Sequence, residues 1–218
     1  MKLTLASASP RRKELLTQVL NELGLASDFE ISAANIDESQ LENESPVAHV
    51  ERLAREKALA IALKSEDQIT KTEFHEQQQP TNSDHLILGA DTIVTFNGKI
   101  FGKPKDTFDA KKMLSELSGK THEVITGFCL INTTQNEPSS SASSLTVAHD
   151  ITQVTFKTLT KNEIANYVAT NEPMDKAGAY AIQGGAKEFV EKITGSWSNV
   201  VGLPVEKIKT LLKLYKKR

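Results

Sequence analysis

The sequence predicts an α/β protein built on a mixed β-sheet, and three observations carry that reading. Short strand-like runs alternate with segments whose apolar residues recur every three or four positions. Asn97-Gly98 is a hairpin signal joining two of the runs directly, so the strands cannot all be parallel. The chain has 218 residues, 39% hydrophobic and 25% charged, enough for one domain with a sizeable core.

Residues 3–7 read as a short strand. A helix follows over Pro10 to Leu23, where Leu15, Leu16, Val19, Leu20 and Leu23 form one stripe and Gly24 is placed to end it. Ser45-Pro46 is an N-cap followed by proline at the first helical position, and the helix it opens buries Val50, Leu53, Ala54 and Ile61. From about 64 to 84 the composition turns polar, with Gln77-Gln78-Gln79-Pro80, and a mobile surface insertion is expected. Leu86-Ile87-Leu88 and Ile93-Val94-Thr95-Phe96 read as strand, turning at Asn97-Gly98 into Ile100-Phe101. A helix from about Phe108 to Leu117 should stop near Gly119. Residues 124–131 and 151–159 look like strands, separated by a Ser-rich loop at about 134–145. Thr160 and Glu163 make a capping box for a helix carrying Ile164, Tyr167 and Val168. The last helix starts at Pro204 and carries Val205, Ile208, Leu211 and Leu212. No internal repeat divides the chain, so 1–218 is read as one domain.

Composition narrows the function classes. With 26 Lys and Arg against 28 Asp and Glu, the net charge is −2, and a sequence pI near 6.2 argues against a nucleic-acid polymer as partner. The longest apolar run, Ala58 to Leu63, is far short of the ~20 residues that span a bilayer, so no membrane is expected. The first seven residues hold too short an apolar stretch for a secretory signal. Cys129 is the only cysteine, which rules out an internal disulfide and a cysteine metal cluster. Together these suggest a reducing, cytoplasmic setting. The basic end, Lys207 to Arg218, suits a solvated helix terminus.

Four segments sit badly with structural rules alone. Ser9-Pro10 caps a helix, yet Arg11, Arg12 and Lys13 then occupy the first turn, where the helix dipole favours acids. Either these cations point into water or they complete an anion pocket, most naturally for phosphate. Lys57 falls at the centre of the stripe formed by Val50, Leu53, Ala54 and Ile61, so it either snorkels to the helix surface or lines a cleft. Asp91, in Gly89-Ala90-Asp91-Thr92, is costly between apolar strand segments unless it meets a metal or a cation, although a turn capped by the carboxylate is the alternative. The small, Gly-rich stretch from Lys176 to Gly185 is either a connector or a place where backbone approaches a ligand, with Gln183 able to read a base edge. Asp37-Glu38 and Gly102-Lys103-Pro104-Lys105 look like ordinary loop charges. The five histidines show no metal-ligand spacing, and none is assigned chemistry. Cations for phosphate, acids for a divalent ion and an amide for a base point to a nucleotide.

These segments, with Leu53-Ala54-Arg55-Glu56-Lys57-Ala58, Leu117-Ser118-Gly119-Lys120-Thr121-His122, Glu172-Pro173-Met174-Asp175-Lys176-Ala177-Gly178-Ala179-Tyr180 and Val201-Gly202-Leu203-Pro204, make the chain resemble the Maf family of nucleoside triphosphate pyrophosphatases nearly end to end. The resemblance implies a Maf/ITPase-like fold, an elongated mixed sheet flanked by helices with two lobes around a central cleft, and a homodimer. It implies hydrolysis of a nucleoside triphosphate to the monophosphate and pyrophosphate with a divalent cation, Mg²⁺ or Mn²⁺. On it, Asp91 is the proton acceptor. Ser9, Arg12, Lys57 and Lys103 contact phosphate, and Glu38 joins Asp91 near the metal. Arg11, Thr92 and Gln183 are the specificity positions, and their identities resemble the branch acting on dTTP and UTP, which removes surplus or modified pyrimidine nucleotides. The branch specific for 7-methylguanosine triphosphate and a nucleotide-binding regulator without turnover are the competing readings.

Overall fold

The computed structural model describes residues 2–72, 85–133 and 144–216. Among the described residues seven strands and six helices follow one another as β1 (Lys2–Leu5), α1 (Pro10–Leu23), β2 (Glu30–Ile31), α2 (Pro46–Thr72), β3 (His85–Phe96), β4 (Lys99–Phe101), α3 (Thr107–Leu117), β5 (Thr121–Thr133), β6 (Ser144–Phe156), α4 (Lys161–Ala169), β7 (Val190–Thr194), α5 (Trp197–Val201) and α6 (Val205–Lys216). Three short 3-10 turns, Glu172–Asp175, Ala177–Ala179 and Gly185–Phe189, lie between α4 and β7.

Local chemistry accounts for most boundaries. Ser9 caps α1 by accepting from the Arg12 N–H, and Gly24 ends the helix in the left-handed region at φ 62°. Asn97 and Gly98 both take positive φ, the geometry of a two-residue hairpin turn. The Thr160–Glu163 capping box forms with both reciprocal hydrogen bonds.

The strands make one mixed sheet in the order β2-β1-β3-β5-β6-β7, with β4 also pairing β3. β1 is parallel to β2 and β3, and every other pair is antiparallel. On one face α2 packs Ala54, Ala58 and Ile61 against Ile87, Cys129 and Ile131. The larger core lies on the other face, where Leu88, Phe128 and Leu130 meet Leu16 and Leu20 of α1, Leu114 of α3 and Leu212 of α6. Among the described residues no helix is long and apolar enough to cross a membrane.

The sheet has a gap. β1 follows β3 as far as the Leu5–Leu88 register, and β4 begins to pair only at Val94–Phe101. Residues 89–93 therefore have a strand neighbour on the β5 side alone, and the chain leaving the carboxyl end of β1 enters α1 beside them. Crevices at the carboxyl ends of parallel strands are where open α/β sheets bind ligands.

Several elements differ from expectation. β3 runs unbroken through Gly89-Ala90-Asp91-Thr92, so the capped-turn alternative for Asp91 is wrong. The carboxylate is tolerated inside a buried strand because a cation meets it there. α2 continues to Thr72, so the first part of the expected insertion is helical, while its remainder at 73–84 lies outside the described residues. The Ser-rich loop at 134–143 also lies outside them, and Ser144 and Leu145 already belong to β6. That strand ends at Phe156 rather than 159.

Candidate active site

A cleft of about 730 Å³ opens at the gap in the sheet. Its first wall comes from the β1–α1 connection. Ser7, Ser9, Arg11 and Arg12 all line it, so two of the three misplaced cations of the first helical turn face a common space, while Lys13 is exposed and does not line it. Arg12 is half-buried and bonded only to neutral oxygens. Its Nε donates to the Gly202 carbonyl at 2.9 Å, Nη1 to Ser7 Oγ at 3.2 Å and Nη2 to Thr92 Oγ1 at 2.9 Å. A guanidinium carries five N–H donors, so one hydrogen on each Nη is left over, a pair suited to an oxyanion. Burial lowers the Arg12 pKa, against the opposing fields of Asp91 and Glu38, without threatening its charge.

The second wall is α2 and the loop before it. Two glycines bring this helix onto the sheet. A Cβ on Gly89 would stand 2.2 Å from the Ala54 carbonyl oxygen, and one on Gly127 would stand 2.4 Å from that of Val50. With backbone lying directly on backbone, the buried Lys57 reaches Asp91, and its Nζ donates to Oδ1 at 2.7 Å. The same ammonium meets Glu38 Oε1 at 2.6 Å. Lys57 and Asp91 are each only 8% exposed, so the pair is desolvated and neither member could lose the other cheaply. Burial disfavours ionisation of Glu38, but the Lys57 hydrogen bond and the fields of Lys57, Lys103 and Arg12 outweigh it and hold its pKa below the usual range.

Behind Glu38 a clasp fixes the loop to α2. Glu44 accepts from Arg52 Nε at 2.6 Å and Nη2 at 2.9 Å, pairs with His49 Nδ1 at 2.8 Å and accepts the Leu41 N–H at 3.1 Å. Arg52 Nη2 also donates to the Ser39 carbonyl, next in chain to Glu38. The Arg52 hydrogen bonds lead the forces that hold the Glu44 carboxyl at about 2, and they prevail over burial, which acts in the opposite direction.

The third wall holds Lys103, which is exposed, and the 175–182 segment, from which Lys176, Ala177, Tyr180 and Ile182 line the cleft. This segment is not a loose connector. Glu172 accepts the Tyr167 hydroxyl at 2.9 Å and the Gly185 N–H, and the Ala181 N–H donates back to the Tyr167 hydroxyl at 3.0 Å. A Cβ on Gly184 would stand 2.0 Å from that carboxylate, so a larger residue there would displace the Glu172 side chain. Tyr180 is fixed from behind by His122 Nε2 at 2.9 Å. Burial pushes the His122 pKa down to about 4, so its ring is neutral at pH 7.

Of the residues singled out from sequence, Ser9, Arg11, Arg12, Glu38, Lys57, Asp91, Thr92 and Lys103 share this cleft. Gln183 does not line it. Its side chain is exposed, one position beyond Ile182. Sequence reasoning gave no role to Lys176 and Asp175, an ion pair on the cleft wall, and missed the Glu44–Arg52–His49 clasp, which joins a loop residue to two residues of α2 and carries no motif. Five cations against three carboxylates line the cleft of a chain with net charge −2, so positive charge is concentrated where the sheet is open. Such a site can draw in a polyanion, orient it and offer a carboxylate to its reacting centre.

The family model described as Maf-like protein matches residues 2–215. A dTTP/UTP pyrophosphatase from Desulforamulus reducens is 43% identical over 211 residues, covering 97% of this chain and 95% of that protein. A protein of the same name from Geotalea uraniireducens is 46% identical over 201 residues, covering 92% and 88%. Among solved structures, a HAM1 protein from Coxiella burnetii aligns over 98% of both chains with 15% identity and a TM-score of 0.49. On the family match and these two relatives, the chain belongs to the Maf family.

Proposed function

We propose that this protein is a nucleoside triphosphate pyrophosphatase that hydrolyses dTTP and UTP to the monophosphate and pyrophosphate. The observation that carries the reading is Lys57 held between Asp91 and Glu38 in a cationic cleft. A structural ion pair has no use for a second carboxylate and a surplus of cations around it. The names of the Desulforamulus and Geotalea relatives support the choice of substrates.

The residues divide the work by chemistry. Arg12 offers its two unused N–H donors to phosphate oxygens, while Ser9, Lys103 and Lys57 supply further donors to the triphosphate. Charge that grows on the leaving pyrophosphate is met by these fixed cations, whose arrangement costs no reorganisation during the reaction. Asp91 takes the proton of the attacking water at the α-phosphorus. Oδ1 accepts the Lys57 hydrogen bond, which leaves Oδ2 the more basic oxygen for that proton. Arg11 and Thr92 meet the nucleoside end from the cleft wall, and Gln183 reaches the base only by swinging in from its exposed position.

The donor set also suits a divalent ion. Among the described residues no group of three or more His, Cys, Asp and Glu could hold a metal alone. Mg²⁺ and Mn²⁺ are hard cations, and Mg²⁺ in particular is commonly bound through one or two carboxylates with substrate phosphates and water completing the shell. Asp91 and Glu38, gathered on one ammonium, are the two carboxylates that would hold it. When bound, such an ion neutralises the triphosphate and lowers the pKa of water.

The test is pyrophosphate release from a panel of nucleoside triphosphates with Mg²⁺ or Mn²⁺, comparing wild type with Asp91→Asn. Release from dTTP and UTP should exceed that from 7-methylguanosine triphosphate, and the substitution should lower kcat by ~10²–10⁴. An Asn variant within threefold of wild type would remove Asp91 from the chemistry. Binding without any release would leave a nucleotide-binding protein instead.

A further inference from the structure

Arg12 is held by a chain of hydroxyl groups that begins outside the cleft. Thr126 and Asn199 are fully buried, and neither lines the cleft. Proton counting fixes the direction of the chain. The Thr126 hydroxyl donates to the backbone carbonyl of Asn199 at 2.9 Å. A hydroxyl has one proton, so in the 3.0 Å contact between Thr92 and Thr126 the proton comes from Thr92. Thr92 is thereby left as an acceptor toward Arg12, as the 2.9 Å bond from Nη2 requires. The three bonds run head to tail from guanidinium to carbonyl, and bonds in series polarise one another.

A second hold on the same guanidinium also starts at Asn199. Its side-chain amide donates to the Val124 carbonyl and to Thr152 Oγ1, both at 3.0 Å, which ties α5 to β5 and β6. Gly202 caps α5 at φ 125°, and its carbonyl accepts from Arg12 Nε. Two of the three engaged Arg12 donors are therefore aimed from one buried asparagine.

We infer that Thr126 and Asn199 are positioning residues for Arg12: they fix the guanidinium so that its two unused hydrogens are presented as a rigid pair to phosphate. The inference makes Thr92 a link in this hold as well as a wall of the cleft. It rests on the phosphate role proposed for Arg12, but its first readout needs no substrate.

The variant that isolates the effect is Thr126→Val, which keeps the shape and removes the hydroxyl. Hydrogen exchange of the Arg12 side-chain N–H groups, followed in nitrogen–proton correlation spectra of the full chain, should become about tenfold faster, and kcat/KM for dTTP should fall about tenfold. Thr126→Ser, which restores the hydroxyl, should bring both within about twofold of wild type. In an Arg12→Lys background the valine should cost less than about twofold, because the guanidinium that the chain holds is already gone. Unchanged exchange in Thr126→Val, or an equal loss in both backgrounds, would overturn the inference. Thr126→Ala, which removes the hydroxyl without a second methyl against Thr92, decides the question by the same exchange measurement if Thr126→Val does not fold. A wild-type chain that binds nucleotide without turnover would overturn the proposed function alone.

Discussion

At the residue scale, the anomalies that mattered were polar groups in apolar settings. Lys57 stands out in the sequence because it interrupts a helical stripe, and Asp91 because it interrupts a strand. The structure joins them at 2.7 Å. What the sequence could not show is that Glu38, which reads as an ordinary loop charge, completes the group. Its partner lies on another element, and the loop that carries it is placed by Glu44. That clasp makes a pH prediction. The Glu44 carboxyl is held at about 2 against an ordinary 4.5, and a depressed carboxyl pKa stabilises the fold above the unfolded value and stops doing so as pH falls through the folded one. Its side chain is only 7% exposed, so Glu44→Gln should lower unfolding free energy by about 2 kcal/mol at pH 7. The gap from wild type should close as pH falls from about 4.5 to about 2. Urea titrations across that range would show it, and a gap independent of pH would contradict the ion-pair account.

At the element scale, the placement of α2 decides whether Lys57 reaches Asp91. The helix rests on Gly89 and Gly127, where an added methyl would stand inside van der Waals distance of its backbone. Gly127→Ala should therefore push α2 off the sheet. It should cost ~1–3 kcal/mol of stability, and displacement of the ammonium should lower turnover by ~10²-fold. Loss of stability without loss of turnover would separate the glycine from the site. The helices were legible in sequence where caps and stripes agreed. α1 has the expected bounds because Ser9, Pro10 and Gly24 mark both ends, and the α4 capping box formed as written. β2 and α5 were not legible. Two- and five-residue elements carry no periodicity, and α5 is held by Asn199, whose partners lie on β5 and β6. The continuity of β3 was hidden for a related reason. Gly-Ala-Asp-Thr reads as a break until a cation from another element meets the carboxylate.

At the scale of the whole molecule, the early end of β1 creates the cleft. β1 leaves the edge of β3 at the Leu5–Leu88 register and β4 takes it up only at Val94, with residues 89–93 left open between them. Cations from the β1–α1 turn, α2, the segment after β4 and the 175–182 segment converge on that opening. The excess of cations there, in a chain that is acidic overall, should hold a triphosphate by its phosphates and leave the α-phosphorus beside Asp91. Hydrolysis of dTTP in water enriched in heavy oxygen, with the products separated by mass, tests this most directly. The label should appear in thymidine monophosphate, from water attack at the α-phosphorus. Label in pyrophosphate would place the attack at the β-phosphorus and contradict it.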